Sequence, residues 1–178
     1  MTNVFIIHGA YGNPEENWFP WLKKKLEKLN HKVFVPKFPT PENQSLNSWQ
    51  KVFREYEQEI NEDSMFIGHS LGPAFILSLL EKHKVKSAIF VSGFVGLLNN
   101  STFDEINKTF TTKEFDFEKI KKNCKEFFIF HSDNDPYVPI GKAEEFANLL
   151  DTKLIIVKDA GHFNMESSPE ILEKIKKK

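Results

Sequence analysis

With 178 residues, 40% apolar and 28% charged, the chain has the composition of a soluble domain long enough for one buried core. A formal net charge of −1 supplies no global field for nucleic acid or an anionic membrane, and the single cysteine, Cys124, excludes an internal disulfide and any multi-cysteine metal site. The opening stretch MTNVFIIHGA has no basic start and only four apolar residues in a row, too short for a signal peptide or a membrane span, so a cytoplasmic location is expected.

The first apolar run, residues 4–8, predicts a strand. Trp18, Trp21, Leu22, Leu26 and Leu29 then share one helical stripe, and residues 32–36 predict a second strand. A second stripe runs through Leu46, Trp49, Val52, Phe53, Tyr56 and Ile60. A third strand is expected at 64–68, followed by a helix over 71–80 that is apolar nearly all round and therefore buried. Further strands are expected at 87–92, 127–131 and 153–158, with helices over 141–150 and 169–177. The strands are continuously apolar rather than alternating, as expected when both faces are covered. Strand alternating with helix predicts an α/β chain: one domain, an open doubly wound, mostly parallel sheet of about six strands, and helices on both faces. Lysines cluster at 23–25, 119–125 and 174–178, at helical spacing or at the terminus, and read as solvated faces. Residues 94–123 are too long for a simple crossover and carry seven aromatic or leucine side chains, so the segment is expected to pack over something.

The chemistry concentrates where predicted strands end. Gly68-His69-Ser70-Leu71-Gly72 closes a strand and opens a helix. In a G-x-S-x-G turn the serine occupies a sharp corner and its hydroxyl stands beyond the carboxyl edge of the sheet. A serine hydroxyl is a weak nucleophile that needs a base, and the base needs an orienting acid. His162, in KDAGHFN after the last strand, opens at the same edge. His69 adjoins the serine in sequence, but its side chain is expected to point away from the hydroxyl. FHSDNDPYVP follows the fifth strand and offers Asp133 and Asp135. Asp135 is favoured because Pro136 fixes the turn and Tyr137-Val138-Pro139 can anchor it to the core. A developing oxyanion needs donors, for which the Leu71 N–H and the N–H of Ala10 in IIHGAYGN are the candidates, with Tyr11 as second choice. The glycines of HGAYG lack the third glycine of a dinucleotide fingerprint and the Gly-Lys-Ser/Thr of a phosphate loop. Tyr11, Trp18, Phe19, Phe94 and Phe163 flank these motifs and fit either an apolar acyl pocket or ordinary core.

Taken together, HGAYGN, GHSLG, DNDPYVP and AGHF resemble the motifs of an α/β-hydrolase. Over essentially the whole chain the sequence resembles the small serine hydrolases of the retinoblastoma-binding, YdeN-like family. The resemblance implies an α/β-hydrolase fold with little or no cap, a Ser70–Asp135–His162 triad, and cleavage of a small-molecule carboxylic ester or amide without metal or organic cofactor. Binding of the retinoblastoma protein is associated in that family with a Leu-x-Cys-x-Glu element. Here only Cys124 and Glu126 match, position 122 is lysine, and that partner is not expected. Neither nucleic acid nor a membrane is an expected partner, and the sequence gives no reading of oligomeric state. The alternative is a protein-interaction module that keeps the hydrolase scaffold without catalysis.

Overall fold

The structure, a computed structural model, describes residues 1–176. Lys177, expected as the last residue of the final helix, and Lys178 lie outside them.

Six strands, β1 (Asn3–Ile7), β2 (Lys32–Phe34), β3 (Met65–His69), β4 (Val85–Val91), β5 (Cys124–Ser132) and β6 (Leu154–Val157), form one sheet in the order β2-β1-β3-β4-β5-β6. Every pairing is parallel. Between them lie α1 (Phe19–Glu27), α2 (Leu46–Phe53), α3 (Gly72–Leu80), α4 (Ser101–Thr111), α5 (Phe117–Asn123) and α6 (Ile140–Leu149), and α7 (Pro169–Lys176) follows β6. The order reverses direction between β1 and β3. In an open parallel sheet this is where loops leave on opposite faces and a crevice opens at the carboxyl edge.

Alternation along the strands divides the core in two. Phe5, Ile7, Phe66, Phe90 and Ile129 face a cluster built with α2, α3, α4, α5 and α6. Val4, Ile6, Ile67, Ile89 and Phe130 face a second one with α1 and α7. Helices therefore cover both faces, which is why the strands read as unbroken apolar runs. All nine residues of α3 are buried, as its all-round apolar pattern demands. No helix among the described residues is long and apolar enough to cross a membrane.

Local chemistry marks the ends of the elements. Pro20 and Pro73 stand in the first turns of α1 and α3, where a missing N–H costs nothing. Ser45 and Ser48 make a reciprocal capping box on α2, and Asn100 and Asp116 cap α4 and α5. The second apolar stripe is less regular than expected. The α-helix stops at Phe53, and residues Arg54–Glu59 tighten into a 3₁₀ segment.

The long segment after β4 holds two helices, α4 and α5. Phe110 of α4 packs edge-on against Trp49, with ring centroids 4.9 Å apart, and Ile120 of α5 is fully buried. The outer part of the segment faces a cavity at the carboxyl edge of the sheet.

Candidate active site

Ser70 follows β3 directly and has φ +58°, a left-handed conformation that costs a non-glycine residue about 1–3 kcal/mol and persists only where the surroundings impose it. They do so here. The Ser70 N–H donates to the Val91 carbonyl at 2.9 Å, tying the corner to β4. The flanking glycines permit the tight approach. A Cβ on Gly72 would lie 2.5 Å from the Ile7 carbonyl oxygen, and one on Gly68 2.7 Å from the Pro73 nitrogen, both backbone atoms that cannot yield. The Ser70 hydroxyl makes no protein hydrogen bond among the described residues and lies on the wall of the carboxyl-edge cavity.

The loop after β1 meets this corner. A Cβ on Gly9 would stand 3.2 Å from Ser70 Oγ. His8, fully buried, organises the loop: Nε2 accepts the Phe38 N–H at 3.0 Å, so Nδ1 carries the proton and donates to the Gly9 carbonyl at 2.8 Å. Burial lowers the His8 pKa, with the Lys37 charge adding and the Gly9 hydrogen bond opposing, so the ring is held neutral. Tyr11, the second-choice oxyanion donor, has its N–H engaged with Thr40 Oγ1 at 2.7 Å. The N–H groups of Ala10 and Leu71 have no protein acceptor among the described residues.

The acid loop follows β5. Asp135 Oδ1 accepts the N–H groups of Tyr137 at 2.9 Å and Val138 at 3.0 Å, which fixes its carboxylate. His162 Nδ1 stands 3.0 Å from Oδ1 and 2.9 Å from Oδ2. The Asp135 side chain is only 1% exposed and that of His162 10%, so solvent screens the pair little. Burial alone would raise the Asp135 pKa. The His162 hydrogen bond and charge, with the two backbone donors, outweigh it and hold the carboxyl below its usual range. Asp133 is exposed and instead accepts the N–H of Asp159 at 2.9 Å.

Two features of the histidine loop escaped the sequence. Ser132 Oγ accepts the Ala160 N–H at 2.9 Å and Asn134 Oδ1 the Gly161 N–H at 2.8 Å, so residues 132–134 grip three successive amides just before His162. His69, expected to point its side chain away from the Ser70 hydroxyl, reaches the same loop: Nε2 lies 2.7 Å from the His162 carbonyl oxygen and must donate to it. Its ring is 4.9 Å from that of His162 and packs edge-on against Trp18 and Phe19. Burial first, and the His162 charge second, lower the His69 pKa to about 3. Only its place beside Ser70 in the sequence hinted at this.

The cavity has a volume of about 430 Å³, within the ~300–1,000 Å³ common for small-molecule sites. Gly9, Ala10, Ser70 and His162 line it. Of the expected pocket aromatics, Tyr11 and Phe94 line it, while Trp18, Phe19 and Phe163 do not. All three are fully buried in the core beneath α1 and α7. Phe163 has φ +54° in a turn closed on the Ala160 carbonyl, and its ring enters the core rather than the cavity. Trp18 directly precedes α1 and packs edge-on against Phe19. Other walls come from Glu16, Asn17, Leu98, Phe103, Asn107 and Tyr137. Asn107 is tied to the loop region before α2, where its Oδ1 accepts from Gln44 Nε2 at 2.8 Å.

Residues 4–178 match the serine hydrolase family. YdeN of Bacillus subtilis (strain 168) is 32% identical over 164 residues, covering 90% of this chain and 85% of that protein. Its crystal structure superposes with a TM-score of 0.91 over 99% of this chain and 98% of that one. The serine hydrolase RBBP9 of Rattus norvegicus is 29% identical over 178 residues, 98% of this chain and 94% of its own. An extracellular α/β-hydrolase of a Paenibacillus species, 15% identical, shares the fold with a TM-score of 0.70 over 99% of this chain and 98% of its own. The architecture is that of an α/β-hydrolase, and the chain belongs to the serine hydrolase family.

Proposed function

We propose that the chain is a carboxylesterase-like serine hydrolase that cleaves a small-molecule carboxylic ester or amide through an acyl-enzyme on Ser70. The observation that carries this reading is the Asp135–His162 pair, with Nδ1 of the ring 2.9 Å from a buried carboxylate, at the wall of the cavity that also holds the Ser70 hydroxyl. With Nδ1 committed to Asp135, the other ring nitrogen is the one available to take the serine proton. As Ser70 Oγ bonds to the substrate carbonyl carbon, His162 accepts the hydroxyl proton and Asp135 stabilises the imidazolium. The carbonyl oxygen becomes an oxyanion that the free N–H groups of Leu71 and Ala10 are suited to hold. His162 then protonates the departing alcohol or amine. Water, deprotonated by His162, adds to the acyl carbon and releases the acid, and Ser70 regains its proton. None of these steps calls on a metal or an organic cofactor. The enzyme is proposed to act in the cytoplasm.

Hydrolysis of short-chain p-nitrophenyl esters by the purified protein tests the reading. Turnover should be measurable in the wild type and abolished in Ser70→Ala with an unchanged fold by circular dichroism. Equal turnover in the two proteins would remove Ser70 from the chemistry.

A further inference from the structure

The cavity wall carries a charge that the triad does not use. Glu16 lines the same cavity as Ser70 and His162. Its carboxylate accepts from Asn13 Nδ2 at 2.9 Å and, at 3.5 Å, from Asn17 Nδ2, which orients it without neutralising it. No Lys or Arg lines the cavity, and among the described residues none forms an ion pair with Glu16. Burial, its largest influence, pushes the carboxyl pKa up, with a hydrogen bond from the Asn13 backbone opposing. A partly buried carboxylate with no ion-pair partner is stabilised by a cation placed beside it.

The remaining walls favour the same occupant. Tyr11, Phe94, Phe103 and Tyr137 line the cavity. An aromatic face attracts an ammonium group by about 0.5–2 kcal/mol, more as water is excluded. A carboxylate and four aromatic rings with no opposing cation make a surface that welcomes positive charge and repels carboxylate-bearing ligands.

We propose that Glu16 and the aromatic walls select esters that carry an ammonium group, and that this enzyme prefers a cationic acyl chain over a neutral one of the same shape. The inference rests on the serine hydrolase reading above. Nothing in it alters the chemical step: the cation is held at the cavity wall while the carbonyl is presented to Ser70.

The test compares p-nitrophenyl esters of γ-trimethylammonio-butyrate, of its neutral tert-butyl isostere, and of a dicarboxylic acid of similar length that leaves one free carboxylate. In the wild type kcat/KM should fall in the order cationic, neutral, anionic, with about three- to tenfold between the first two, as expected for one partly exposed charge contact. Glu16→Gln keeps the size and the amide-facing oxygen but not the charge, and should shrink the cationic-to-neutral ratio about threefold or more. A wild-type ratio of one or below would overturn the proposal without any variant. So would a ratio above one that Glu16→Gln leaves unchanged. Labelling of Ser70 by a fluorophosphonate separates the two levels: a labelled enzyme with no cationic preference retains the hydrolase and loses only this selectivity, whereas an unlabelled one loses both.

Discussion

His69 Nε2 donates to the backbone carbonyl of His162 at 2.7 Å, so the residue before the candidate nucleophile holds the main chain of the candidate base. The corner that carries Ser70 and the loop that carries His162 are thereby linked by one partly buried hydrogen bond. Replacing His69 by Phe keeps a ring against Trp18 and Phe19 but leaves that carbonyl without its donor. An unpaired acceptor costs up to about 1–3 kcal/mol when fully buried, and less where water reaches it. We expect kcat to drop about tenfold or more through misplacement of His162. His69→Gln, which retains an N–H donor, should recover part of the loss. Ester-hydrolysis kinetics on both variants would decide, and equal kcat in His69→Phe and wild type would contradict the role.

Asp135→Asn should lower kcat by orders of magnitude. The corresponding change in a serine protease costs about 10⁴ because an amide holds the wrong imidazole tautomer. Asp133→Asn should cost far less, since Asp133 is exposed and touches only the Asp159 amide. Steady-state kinetics on the two variants compare them directly. A larger loss in Asp133→Asn would exchange their roles.

Acid should destabilise the fold, and His69 should be one reason. Its folded pKa, about 3, lies below the ~6.5 of an unfolded histidine. The unfolded chain therefore binds a proton that the folded chain refuses. The stabilisation is fully present above ~6.5 and is lost as pH falls toward 3, at up to ~1.4 kcal/mol per pH unit. Asp135, also depressed, adds its loss only below the ~3.9 of an unfolded aspartate. Urea unfolding at pH 7 and pH 5 isolates the histidine contribution. His69→Phe cannot take the proton and should lose less stability over this interval than wild type. Identical losses would show that His69 is not held neutral.

The α4 segment should set acyl-chain preference. Phe94 lines the cavity but is only 2% exposed, and truncating so buried a ring costs about 3–5 kcal/mol. Phe103 is the cleaner probe: it is half-buried on α4 and packs edge-on against Tyr137, with centroids 5.9 Å apart. Phe103→Ala should shift the chain-length profile toward longer acyl groups with a smaller change in Tm than Phe94→Ala. Unchanged relative kcat/KM across chain lengths would assign the ring to packing alone.

How much of this was legible in the sequence depends on the range of the interaction. Ser70 could be read because its constraints are local: glycines flank it, an apolar run precedes it and an apolar helix follows. Strand and helix order was legible because burial on both faces leaves unbroken apolar runs. The pocket walls were not, because Trp18 and Phe94 both follow a motif and both are aromatic, yet one turns under α1 and the other toward the cavity. No motif in the sequence singles out Glu16; only the folded loop places it on the same cavity as Phe103 and Asn107 of α4. The grip of Ser132 and Asn134 on the amides before His162 joins residues 27 and 28 positions apart, and no local pattern announces it.

The central claim is that Ser70 is an activated nucleophile beside a His162–Asp135 pair. Incubation with a fluorophosphonate, followed by peptide mapping by mass spectrometry, tests it most directly. The account predicts one adduct per chain, on Ser70, forming in the wild type, strongly slowed in Asp135→Asn and absent in Ser70→Ala. A folded wild-type sample that forms no adduct, or forms it on another residue, would contradict it.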